Sequence, residues 1–325
     1  MKTRRLGSSD LDITPIGFGS WAMSGPNSPS YWGPQDDEVS VATIRHGVES
    51  GINWIDTAAI YGMGHAETVV AEAVSVFSEA DRPFLFTKAG LVWDEPGPQA
   101  TVTRSGGPES IRRELDASLT RLGVERIDLY QMHWPADDAR VDEYWEVFSD
   151  AFAAGKVRAI GVSNHSLEQL DSALAVGPLH SNQAPLSLLR PDSLDDQIPW
   201  ARERGVGTLV YSPMASGLLT GKFRAGRLDS LDEADWRRRS PLFTPENLAR
   251  VDELVVSRRE SAEAHETTVS SIAVAWAIAQ DGVTGAIVGA RTPEQCDDWV
   301  DAADLELTED ELDLLESARR RYAAR

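Results

Sequence analysis

The chain has 325 residues, enough to bury a sizeable core as two domains or as one large α/β barrel. Its 52 acidic residues against 31 basic ones leave a formal charge of −21, which argues against nucleic acid or an anionic membrane surface as a partner. One cysteine, Cys296, excludes an intramolecular disulfide and a cysteine-based zinc cluster.

Taken in order, Lys2–Leu6 and Leu11–Thr14 read as a hairpin turning at Gly7-Ser8-Ser9-Asp10, followed by a first strand, IGFGS. A loop holding Trp21, Tyr31 and Trp32 leads to a helix over Asp36–Ser50, with Val39, Ala42, Thr43, His46 and Gly47 as its expected inner face. Acids in its first turn complement the positive end of the helix dipole. Strand INWID precedes a helix from Ala66 to Ser78, and strand PFLFTK precedes a Gly- and Pro-rich loop, Gly90–Gly107. Pro108 opens the next helix, where a missing amide proton costs nothing, and Gly123 ends it. Then come IDLYQMH with helix Val141–Ala154, VRAIGVS with helix Ser166–Ala175, and LHSNQ with helix Leu194–Arg204. GTLVYS is followed by a charged, aperiodic insert, Ser216–Thr244, read as a long rim loop, and by helices Glu246–His265 and Val269–Gln280. GAIVG, helix Pro293–Ala302 and a helix from Thr308 complete the chain. Eight strands, nearly all followed by a helix, predict an α/β fold: one (β/α)8 TIM barrel over residues 1–325, with an N-terminal hairpin and long rim loops. No apolar run approaches the ~20 residues of a membrane helix, and the N-terminus lacks a signal-peptide core, so the expected location is cytoplasmic.

Three strands end on chemically useful groups: INWID on Asp56, PFLFTK on Lys88 and IDLYQMH on His133. Five residues after Asp56, Tyr61 sits in a turn with Gly62 and Gly64. In a parallel barrel these four converge on one mouth, where barrel enzymes gather their catalytic residues. A carbonyl accepting hydride needs a proton on oxygen, and free tyrosine, with a pKa of about 10, is a weak donor. A nearby ammonium lowers that pKa and a carboxylate holds the ammonium in place, so Tyr61, Lys88 and Asp56 fit those roles. His133 would orient the carbonyl or share the proton relay. Singly, each has a plainer reading: Asp56 as a cap, Tyr61 as packing, Lys88 as a solvated strand end, His133 as a core histidine.

The segments GINWIDTAAIYGMGHAE, TKAG, IDLYQMHWP, GKVRAIGVSNHSLEQL, LVYSPMASGLLTGKF and AIVGARTPEQ, in this order, resemble the aldo-keto reductase family across nearly the whole chain. The six histidines are scattered without a metal-ligand spacing, so no metal is expected. The resemblance implies reduction of aldehydes or ketones by NADPH, with Asp56, Tyr61, Lys88 and His133 catalytic. A dinucleotide would lie across the mouth, since no GxGxxG follows the first strand and Gly17-Phe18-Gly19 is only a short match. Gly19, Ser20 and Trp21 would border it at the first strand. Ser163, Asn164 and Gln183 would bind the carboxamide, with Tyr211 stacked under the nicotinamide. Ser212, Pro213, Met214, Gly217 and Lys222 would wrap the pyrophosphate. Gly289, Ala290, Arg291, Gln295 and Asp298 would hold the adenosine end, an arginine fork at the ribose 2′ position favouring NADP(H) over NAD(H). Relatives often carry a lysine where Gly289 stands, and a Glu-Asn pair where this chain has Asp298 and Trp299. Trp21, Trp32, Trp93 and Trp134 are the expected walls of the carbonyl pocket, whereas Trp54, Trp145 and Trp276 read as core. A monomer or weak oligomer is expected. The competing reading is a dinucleotide-binding regulatory or sensor subunit with little turnover.

Overall fold

A computed structural model of the chain describes residues 1–26, 28–223 and 226–323. Two of the residues outside this description, 224 and 225, belong to the expected rim loop. A short antiparallel pair, β1 (Arg4–Arg5) and β2 (Asp12–Ile13), forms the N-terminal hairpin. Eight strands then close a parallel barrel: β3 (Ile16–Gly19), β4 (Trp54–Asp56), β5 (Phe84–Ala89), β8 (Ile127–Met132), β9 (Val157–Ser163), β10 (Ser181–Pro185), β11 (Gly207–Tyr211) and β12 (Val283–Val288). They neighbour one another in that order, β12 returning to β3. The helices are α1 (Asp37–Glu49), α2 (His65–Val74), α3 (Pro108–Leu122), α4 (Val141–Ala153), α5 (Leu167–Val176), α6 (Gln197–Glu203), α7 (Pro245–Val256), α8 (Arg259–Ala264), α9 (Val269–Ile278), α10 (Pro293–Asp297) and α11 (Glu309–Ala323). Among the described residues, no helix is long and apolar enough to cross a membrane.

Alternation along the strands fills the barrel. Trp54, Phe86, Leu129, Ala159, Leu209 and Ile287 pack inside it, and Leu6, Leu11 and Ile13 of the hairpin pack against them from below. Trp54 explains Gly17: a Cβ there would lie 2.2 Å from the indole ring. The same indole donates to Thr14 O at 2.9 Å, tying the barrel to the hairpin. Trp145 and Trp276 are also core, as expected.

The departures from the sequence reading are local. In α1 the buried residues are Ser40, Val41, Thr43, Ile44 and Gly47, while Val39 and Ala42 are exposed. Both stripes are apolar enough to qualify, and packing on α2 and α10 selects one. The helix expected over Glu246–His265 breaks into α7 and α8 at Ser257–Arg258, where the buried Arg258 guanidinium turns inward to donate to Leu219 O at 2.9 Å. The loop Gly90–Gly107 contains a small hairpin, β6 (Leu91–Trp93) paired with β7 (Val102–Arg104). The rim loop is built of short 3-10 turns, including Leu228–Ser230, Trp236–Arg239 and Pro241–Phe243.

Candidate active site

Strand register decides which side chains meet. Asp56 pairs with Phe86 of β5, and Lys88 of β5 pairs with Gln131 of β8, so the ends of β4, β5 and β8 reach one level. There Lys88 Nζ donates to Asp56 Oδ1 at 2.5 Å and to Thr57 O at 3.0 Å. Both members of the ion pair are buried, Lys88 at 1% exposure and Asp56 at 2%. A charge pair this deep persists only with further hydrogen bonds. They come from Gln183 Nε2, at 2.9 Å from Asp56 Oδ2, and from Gln131 Nε2, at 3.4 Å from the same oxygen.

Tyr61 lies over this pair, its ring centroid 5.2 Å from Lys88 Nζ. His133 meets the Tyr61 ring edge-on, with centroids 5.7 Å apart. The four expected groups therefore meet at one place, but one of them does not titrate in the expected direction. Burial, reinforced by the Asp56 charge, holds the Tyr61 phenol well above its ordinary value of 10.0. The ammonium expected to lower it is itself neutralised by Asp56 at contact distance, so its field at the ring is largely cancelled. Burial also lowers Lys88, against the pull of Asp56. It holds His133 well below 6.5, with the Lys88 charge acting the same way, so the imidazole is neutral at neutral pH.

A cavity of about 700 Å³ opens above these groups, and every residue expected to hold a dinucleotide lines it. Asn164 Nδ2 donates to His133 O at 2.9 Å and to Ser163 Oγ at 3.0 Å, and its Oδ1 accepts from Tyr211 Oη at 2.8 Å. Gln183, expected to face a carboxamide, has its amide nitrogen engaged by Asp56 and by Gln131 Oε1 at 3.2 Å. Farther along, three non-glycine residues take positive φ: Ser212 at 59°, Ala215 at 48° and Ser216 at 56°, followed by Gly217 at 99°. Such strain, of order 1–3 kcal/mol each, concentrates at ligand clamps, and turns of this kind suit an anion through their backbone N–H groups. At the end expected to hold adenosine, Lys222 pairs with Asp298, and the buried indole N–H of Trp299, which also lines the cavity, has no partner among the described residues. An extended, partly anionic ligand with one flat ring fits this lining. Among the described residues, no group of three or more His, Cys, Asp or Glu could hold a metal ion.

Trp21, Trp32 and Trp134 line the cavity as expected, but Trp93 does not. It ends β6 paired with Val102 of β7, and the hairpin's cavity-lining residues are Leu91 and Val102 instead. The sequence reading also missed several contributors. Gln131 is fully buried beside Asp56, and its signal was a polar side chain in phase with Leu129 and His133. Trp236, from the rim loop, stacks on Trp21 with centroids 5.5 Å apart, and Arg237 lies 4.7 Å above the Trp32 ring, held by Asp235 at 3.0 and 2.6 Å. Nothing periodic marks that loop. Behind the barrel wall, fully buried Glu67 accepts from Thr87 Oγ1 at 2.6 Å and from Arg121 Nε at 2.5 Å, bracing the strand that carries Lys88.

Comparison with known proteins shows the family. Residues 15–320 match the Aldo/keto reductase family. The chain is 35% identical over 298 residues to the aldo-keto reductase YhdN of Bacillus subtilis, covering 91% of this chain and 86% of that one. It is 30% identical over 326 residues to an NADH-specific methylglyoxal reductase of Escherichia coli, covering 97% of each. The solved structure of a glycerol dehydrogenase from Gluconobacter oxydans superposes with a TM-score of 0.90 at 34% identity, covering 100% of this chain and 97% of that one. The chain belongs to the aldo/keto reductase family and is an NAD(P)H-dependent oxidoreductase.

Proposed function

We propose that this enzyme reduces small aldehydes or ketones to alcohols, with Tyr61 as the proton donor. The observation that carries the reading is the buried Asp56–Lys88 pair beneath a half-buried Tyr61 whose ring edge meets a neutral His133. A bound nicotinamide dinucleotide supplies the hydride. Ser163, Asn164, Gln183 and Tyr211 would hold its nicotinamide end, the Ser212–Gly217 turn its phosphates, and Gly289 to Asp298 its adenosine end. A phenol whose pKa is raised stays protonated through neutral pH, so the donor is present as O–H when the carbonyl oxygen gains charge. The neutral imidazole of His133 can donate one hydrogen bond to that oxygen and cannot repel Lys88. Gln131 and Gln183 fix Asp56, and Asp56 fixes Lys88.

The pocket walls of Trp21, Trp32 and Trp134, with Leu91 and Val102, suit a carbonyl with an apolar or flat face. The activities named for two relatives, a methylglyoxal reductase and a glycerol dehydrogenase, support a small oxygenated substrate. Lys222 at the cavity wall supports the NADPH preference, whereas the NADH-specific relative and the engagement of the Arg291 guanidinium by Trp32 O and Gly33 O support the other dinucleotide. A tighter dissociation constant for NADH than for NADPH would overturn that preference. We also infer one catalytic unit over the chain, working in the cytoplasm as a monomer or weak oligomer.

The test is loss of reduced-nicotinamide absorbance with an activated aromatic aldehyde, wild type beside Tyr61→Phe. The variant should lose roughly 10²–10⁴-fold in turnover, the range for a positioned acid, while binding the dinucleotide normally. Near-normal turnover in Tyr61→Phe would sink the role given to Tyr61. Tight dinucleotide binding by the wild type without turnover across a broad carbonyl panel would favour the regulatory reading.

A further inference from the structure

Arg291 stands where a phosphate on the ribose 2′ position was expected, yet its guanidinium faces the chain. Nη1 donates to Trp32 O at 3.0 Å, Nη2 to Gly33 O at 3.3 Å and to Pro34 O, and Nε to Gln35 Oε1 at 2.8 Å. Gln35 reciprocates, its Nε2 donating to Arg291 O at 2.9 Å. The arginine's own N–H donates to Gln295 Oε1 at 2.9 Å, which fixes its backbone. Three successive carbonyls thus converge on one planar fork, a geometry that guanidinium offers and ammonium does not.

The Trp32–Gln35 segment has no regular structure, so its carbonyls lack the ladder partners a strand would give them. Gly33, at φ 90°, lets the chain bend around the fork. The segment also carries Trp32, whose ring packs edge-on against Trp21 at 5.0 Å and against Trp236 at 5.4 Å, with Arg237 above it. Trp21 in turn stacks toward Tyr61, with centroids 6.3 Å apart. One unbroken line of contacts therefore runs from the adenosine end of the cavity to the proton donor.

We propose that Arg291 is a positioning residue for the carbonyl pocket: by clamping the Trp32–Gln35 segment it sets the tryptophan wall against which the carbonyl packs. The proposal rests on the reductase reading for what the wall recognises, and on geometry alone for the clamp. It separates from the 2′-phosphate role because NADH carries no such phosphate. A phosphate reader matters only with NADPH, whereas a clamp matters with either dinucleotide.

The experiment compares wild type, Arg291→Ala and Gln35→Leu, the last removing a clamp partner outside any phosphate contact. Chymotrypsin cleavage after Tyr31 or Trp32, mapped by mass spectrometry under native conditions, reads the segment without requiring turnover. Cleavage should accelerate in both variants, more in Arg291→Ala, at melting temperatures that keep the fold intact. With saturating NADH, the KM for an aromatic aldehyde should rise about fivefold or more in Arg291→Ala and less in Gln35→Leu, with kcat changing little. If NADH supports no turnover, the Gln35→Leu KM with NADPH takes its place. Unchanged cleavage and unchanged carbonyl KM, with only NADPH binding weakened in Arg291→Ala, would overturn the proposal. If the wild type reduces no carbonyl at all, the reductase reading falls while the cleavage rates still decide the clamp.

Discussion

Asp56, Lys88 and His133 stand at the ends of three neighbouring strands, whereas Lys222, Trp236 and Arg237 stand on a rim loop of short 3-10 turns. On the strands the ladder fixes the backbone, and one ion pair with two amide hydrogen bonds completes the constellation. The described residues of the loop form no ladder and are held by side-chain clamps: Arg237 on Asp235, Lys222 on Asp298 and Arg258 on Leu219 O. In the proposed mechanism the ion pair beneath Tyr61 sits where the backbone is rigid, and the loop groups that shape the pocket sit where it is adaptable. Changes on the strands should therefore strike turnover, and changes on the loop should strike affinity.

The sharpest way to test this contrast is Lys88→Met. It leaves Asp56 buried beside no cation, an arrangement that costs about 3–5 kcal/mol when one partner of a buried pair is removed. Turnover should fall by roughly 10³-fold or more in the same variant, since the proposed proton donor loses its support. Denaturant unfolding and initial rates read the two losses; retention of either would separate the strand-borne pair from the chemistry.

Trp236→Leu probes the loop side. With its stack on Trp21 gone, the KM for an aromatic carbonyl should rise about five- to tenfold, while kcat and the dinucleotide dissociation constant change little. A fall confined to kcat would break the distinction between the two regions.

The smallest effect concerns Glu114 of α3, which accepts the Gly90 N–H at 2.8 Å at the foot of the β6–β7 hairpin. Burial raises its carboxyl to about 7 from 4.5. Between those values the unfolded chain has released the proton and the folded chain keeps it. The stability of the protonated form is thus complete below 4.5 and is lost as pH rises through 7. Glu114→Gln, neutral throughout, should gain melting temperature over the wild type as pH goes from 5 to 8. A difference that stays flat across that span would remove Glu114 from the account.

Much of this was legible in the sequence because strands and helices alternate with clear punctuation, as at Pro108 and Gly123, and because Asp56, Lys88 and His133 are polar terminations of apolar strands. What stayed hidden depends on partners far away in the chain. Gln131 has meaning only beside Asp56 and Gln183, and Arg291 only beside residues 256 to 259 positions earlier. Trp93 was placed in the pocket because it follows a barrel strand, but the two-stranded β6–β7 turn gives that wall to Leu91 and Val102.

By itself the sequence determined the barrel, the order of its strands and the four groups at its mouth, because period, capping and strand-end polarity are local properties that short segments carry. Only the tertiary structure decided the direction of Tyr61's titration, the occupation of Arg291 and the identity of the pocket wall. Burial and electrostatic field are sums over neighbours that the chain brings together only when it folds.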